Sequence, residues 1–75
     1  MKTMSMYQQA IYELLVRQGN DKIDPRHIEG YMRLQYGTLD GLSCEQFDKE
    51  VEICTACIKE GGVENAESLA VSYGL

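Results

Sequence analysis

The segment Cys54-Thr55-Ala56-Cys57 holds the residues best spaced for chemistry. Two thiols three residues apart can share a zinc ion or run thiol–disulfide exchange. Cys44 and His27 would complete a Cys3His ligand set. Both uses require thiolates, which a helix amino terminus stabilises. This pair stands instead in the last turns of a helix, where the dipole opposes a thiolate. Phe47, Val51, Cys54 and Ile58 also follow 4-3-4 spacing, which puts Cys54 in the middle of an apolar stripe and Cys57 at its edge. A cysteine in such a stripe behaves as a small hydrophobe. The expectation is therefore packing, with no cofactor and no metal. Cys44, Cys54, Cys57 and His27 are the residues a zinc site would use.

His27 is the only histidine and the natural candidate for a general base. No serine or cysteine adjoins it as a nucleophile, so no catalytic residue is assigned and the chain is not read as an enzyme. No glycine-rich phosphate loop, His-Glu-x-x-His or calcium-loop spacing of acids occurs.

Charge is unevenly distributed. Residues 1–42 carry five acidic and five basic side chains, whereas residues 43–75 carry seven acidic and two basic, so the net charge of −5 lies entirely in the second part. Within it Glu45, Asp48 and Glu52 share one helical face. Such a run is ordinarily a solvated face, and its functional use would be docking on a basic partner such as a nucleic-acid-binding protein. Direct binding to nucleic acid is not expected, because the acids repel phosphate.

The elements that carry these residues are read as helices. Tyr7, Ile11, Leu14 and Leu15 recur at helical spacing, and Gly19 stops the run, which predicts a first helix over 4–18. Asp24 as cap and Pro25 at the first position start a second over 25–36, ended by Gly37. Ser43 and Gln46 match a capping box for a third over 44–60. Gly61-Gly62 predicts a tight turn into a fourth over 63–73. The third and fourth have the outline of a helix-turn-helix, but the fourth has no basic residue with which to read DNA. Glu13–Arg17, Glu29–Arg33 and Glu45–Lys49 stand four apart and mark the expected solvent faces. Leu39 and Leu42 are expected to tuck the 37–43 loop against the core.

The reading is an all-α bundle of about four helices in a single domain, 1–75, with a short flexible tail at about 1–4. At 75 residues a domain has little room for an active-site cleft beside its scaffold. No stretch approaches a membrane span, the amino terminus lacks a signal-peptide pattern, and an odd number of cysteines argues against a disulfide framework. A cytoplasmic protein without membrane contact is the expectation.

The first helix is apolar on more sides than a surface helix needs. Between Ala10 and Val16 only Glu13 is strongly polar, and Tyr12 with Val16 forms a second stripe beside the first. These features point to a non-enzymatic protein–protein interaction module, with Tyr12 and Val16 as an apolar contact and a homodimer as one form of it. Tyr31 is a further interface candidate, since a tyrosine offers an apolar ring with a polar tip. The alternatives are an acidic inhibitor or adaptor acting through Glu45, Asp48 and Glu52, and a small zinc-binding domain.

Overall fold

The computed structural model describes residues 4–75. The expected tail falls largely on residues 1–3, outside the described residues. The described residues contain helix and no strand.

Each helix starts where a side chain can satisfy free backbone N–H groups. Helix α1 spans Met6–Arg17 and is opened by a reciprocal cap: Ser5 Oγ accepts from the Gln8 N–H at 3.2 Å, and Gln8 Oε1 accepts from the Ser5 N–H at 3.1 Å. Helix α2 spans Pro25–Tyr36, with Asp24 accepting from the Arg26 N–H at 2.9 Å and Pro25 in the first turn. Helix α3 begins at Cys44 with the same reciprocal cap between Ser43 and Gln46.

The carboxyl-terminal part departs from expectation. The third and fourth helices are not separated by a loop. The first arm of α3, Cys44–Cys57, runs through a π-type joint, Ile58–Gly62, into a second arm, Val63–Ser72. The chain thus folds as three helices, the last long and kinked, rather than four separate ones. Within the joint only Gly61 leaves the helical region, at φ 108°, and Gly62 is already back at φ −84°. Two adjacent glycines thus kink the helix instead of ending it, because only one of them takes the left-handed conformation that a side chain disfavours.

The packing is organised around α2. It touches α1, both arms of α3 and no element is packed without it except at the α1–first arm seam and the joint. The second arm packs on α2 and the joint, and among the described residues it meets neither α1 nor the first arm. The two arms therefore do not form a helix-turn-helix. Ile11 and Leu15 of α1, Ile28 and Met32 of α2, Val51 of the first arm and Ala66 of the second are fully buried. Leu39, 2% exposed, brings the connecting loop into the same core as expected. The radius of gyration, 11.1 Å, matches the ~11 Å of a well-packed chain of this length.

The second arm approaches α2 at Gly30. A Cβ at Gly30 would stand 3.2 Å from the Ala70 nitrogen and 3.3 Å from the Leu69 Cβ. That leaves no room for a side chain larger than a methyl group. Tyr31 ties the joint to the same helix, its hydroxyl donating to the Gly62 carbonyl at 2.8 Å. Tyr31 is therefore half-buried, with its hydroxyl engaged within the fold. Tyr36, the last residue of α2, is exposed.

Gly30→Leu should lower unfolding free energy by about 2–3 kcal/mol, because overpacking here meets backbone rather than a mobile side chain. Urea unfolding followed by circular dichroism measures it, and the exposed neighbour Gln35→Leu, within about 0.5 kcal/mol of wild type, is the control.

Candidate functional site

A concavity with an apolar wall lies between α1 and the start of α3. It is an open groove of about 410 Å³. Along one wall α1 presents Met6, Tyr7, Ala10 and Leu14. The floor is Leu39 and Leu42 from the loop, and the opposite wall is Cys44 and Phe47. The rim is charged, with Glu13, Asp40 and Asp48 against Arg17 as the one cation among the described residues that line it.

Local sequence dictates this geometry. Met6, Ala10, Glu13, Leu14 and Arg17 recur at three- and four-residue steps, so they share one flank of α1. Tyr12 and Val16 fall on the opposite flank, 39% and 48% exposed. The excess apolar surface of the first helix thus divides between a groove wall and an exposed pair. The groove itself, and Met6, Ala10, Leu39 and Phe47 as its lining, were not assigned from sequence. The apolar spacing along α1 was the available signal, but it does not say which stripe a neighbour covers.

Aromatic packing and one hydrogen bond fix the mouth of the groove. The Tyr7 and Phe47 rings stack at 6.4 Å between centroids and 30° between planes. The Tyr7 hydroxyl donates to Asp40, and that bond and the carboxylate's charge push the phenol pKa above its ordinary value. Arg33 lowers and Glu29 raises the same phenol pKa by smaller electrostatic effects.

Among the described residues, Glu29 is the one charged side chain buried in the interior, and Arg33 pairs with it. Glu29 is 1% exposed, and its Oε2 accepts from Arg33 Nε at 2.9 Å. Its Oε1 has no hydrogen-bond partner among the described residues. The expectation that Glu29–Arg33 marks a solvent face is therefore wrong. Helix α2 is covered on several sides, and its Glu29 flank faces inward. Neither Glu13–Arg17 nor Glu45–Lys49 closes as an ion pair; Arg26–Asp24 is the other pair among the described residues.

The acidic residues Glu45, Asp48 and Glu52 are all exposed along the first arm of α3. Asp48 also forms part of the groove rim, which links the acidic face to the apolar wall. The four candidate metal ligands are not brought together: among the described residues no three His, Cys, Asp or Glu side chains are placed to hold an ion. His27 is half-buried in the first turn of α2, beside Asp24. Cys44 and Cys57 are exposed and Cys54 is buried, so the Cys54–Cys57 pair straddles the edge of the core. Burial, with Glu50 and Cys57 adding to it, pushes the Cys54 thiol from an ordinary 9.0 up to about 12. Such a thiol is a packed side chain and not a nucleophile at neutral pH.

Comparison with models of known protein families, with curated proteins and with solved structures gave no match.

Two measurements follow from these environments. Arg33→Met should cost about 2–3 kcal/mol of stability by stranding the Glu29 carboxylate, and Glu29→Met combined with it should recover most of that loss. Denaturant midpoints of the single and double variants give both numbers. For Cys54, the unfolded thiol ionises near 9.0 while the folded one keeps its proton to about 12. The folded state then binds more protons across that window, so stability falls as pH rises through it. Cys54→Val should show a shallower decline between those two limits in chemical denaturation.

Proposed function

We propose that this protein is a non-enzymatic protein–protein interaction module and that the α1–α3 groove is its docking surface. The observation that carries this reading is an apolar wall left uncovered in a small domain. Met6 is 87% exposed there, beside half-buried Ala10, Leu14, Leu42 and Phe47. Contiguous apolar surface rimmed by charge is characteristic of interaction sites. The partner on this reading is another protein, not nucleic acid or membrane, since the rim is predominantly acidic. No helix among the described residues is long and apolar enough to cross a membrane, and the odd, unpaired cysteine set supports placement in the cytoplasm.

A second reading rests on Tyr12 and Val16. They stand one turn apart on the flank away from the groove and are large and exposed, as a self-association contact requires. The narrower alternative, an acidic inhibitor or adaptor, draws on the exposure of Glu45, Asp48 and Glu52.

Tagged wild-type protein, Ala10→Arg and Tyr12→Glu should be compared in a pull-down from cell extract, with helicity checked by circular dichroism. The groove reading expects a polypeptide recovered in near-equal amount by wild type and Tyr12→Glu, and reduced about tenfold or more by Ala10→Arg. Loss with Tyr12→Glu alone would move the interface to the other flank. Sedimentation of the same proteins reads self-association, which Tyr12→Glu or Val16→Glu should abolish if that flank makes the dimer.

A further inference from the structure

Resting on the groove reading above, we infer that the occupant is an amphipathic α-helix of a partner protein with lysine or arginine on both sides of its apolar stripe.

The shape of the groove argues for a helix. Its walls are helices, whose mid-element backbone groups are already hydrogen-bonded to each other and have nothing to offer an extended chain. A strand laid on this apolar surface would leave its own N–H and C=O groups without partners, whereas a helix satisfies them internally. The α1 wall runs from Met6 to Arg17, which at ~1.5 Å per residue is about 16 Å, or three turns. An apolar stripe at i, i+4, i+7 and i+11 on the incoming helix spans the same length.

Charge argues for a basic one. Among the described residues, Glu13 on α1 and Asp40 with Asp48 on the facing side put carboxylates on both rims, against one guanidinium at Arg17. Glu45 and Glu52 extend the negative potential along the first arm of α3. None of these five acids is closed in an ion pair among the described residues, and only Asp40 is engaged otherwise, by the Tyr7 hydroxyl. A second copy of this chain is a poor occupant, because it brings a net charge of −5 to an acidic rim.

Cys44 supplies an internal reporter. It is an exposed thiol in the groove wall, while Cys57 is exposed outside the groove and Cys54 is buried. The rates at which iodoacetamide alkylates Cys44 and Cys57 are measured by peptide mass spectrometry with three synthetic peptides of about 15 residues. The first carries leucines at the stated spacing flanked by lysines, the second has glutamates in place of the lysines, and the third is the lysine peptide with its helix broken by prolines. The lysine helix should slow Cys44 about tenfold at about ten times its dissociation constant, because only free protein reacts, and leave Cys57 unchanged. Raising salt from about 0.05 to 0.5 M should weaken that protection several-fold. Glu13→Lys with Asp48→Lys, both at exposed positions, should transfer the preference to the glutamate peptide.

Equal or better protection by the glutamate or the proline peptide, or no transfer of preference in the charge-reversed protein, overturns this inference and leaves the groove as a docking surface. If none of the peptides protects Cys44 at about 1 mM, a concentration that would detect even weak binding, both readings fall.

Discussion

The close crossing of the second arm of α3 over α2 at Gly30 is the constraint on which the rest of the structure depends. Among the described residues the second arm packs only on α2 and the joint, so its place in the fold is set by how near Leu69 and Ala70 can come to a helix with no side chain at that point. Gly61 makes that approach possible from the other end, by turning α3 through a single left-handed residue. The Tyr31 hydroxyl holds the turn to α2 through the Gly62 carbonyl. A glycine in mid-helix weakens helix formation by about 1 kcal/mol relative to alanine, so Gly30 is maintained against local propensity by what the arm buries on top of it.

This crossing decides what the protein leaves open. An up-and-down bundle of four helices would lay its last helix over the seam between the first and third. Here the last segment crosses to another side of α2, and α1 meets the first arm only sparingly. Among the described residues, the seam is then covered only by the loop, through Leu39 and Leu42. The groove is in this sense a consequence of the packing on the far side of the central helix. It also explains why a helix with apolar residues on several flanks can be stable in so small a domain. One stripe of α1 enters the core, a second forms the groove wall, and Tyr12 with Val16 remains exposed.

Electrostatics divides along the same line. Glu29, the one buried carboxylate among the described residues, is held by Arg33 within the same helix, while the acids outside any ion pair stand on the groove rim and the outer face of α3. Partly burying a charge costs several kcal/mol unless it is paired, so a single countercharge within α2 lets that helix be covered on the Glu29 flank. The three thiols follow burial as well: one is packed into inertness and two face solvent on different sides of the first arm.

Much of this architecture was legible in the sequence, because the signals involved act over one turn of helix. Ser5 with Gln8, Asp24 with Pro25, and Ser43 with Gln46 fix three helix starts through contacts between residues at most three apart, and the structure places all three there. The 4-3-4 stripe that put Cys54 in the core is equally local. The tertiary structure alone decided what depends on distant neighbours. Gly61-Gly62 reads as a loop until the second arm finds α2 and keeps the backbone helical on both sides of one residue. Glu29–Arg33 reads as a surface pair until α2 becomes the central helix. That the Tyr31 hydroxyl reaches the Gly62 carbonyl, 31 residues on, is equally invisible in local spacing. The groove belongs to this second group: its lining comes from α1, the 37–43 loop and α3, and periodicity within one helix gives the direction of an apolar stripe without saying whether another element arrives to cover it.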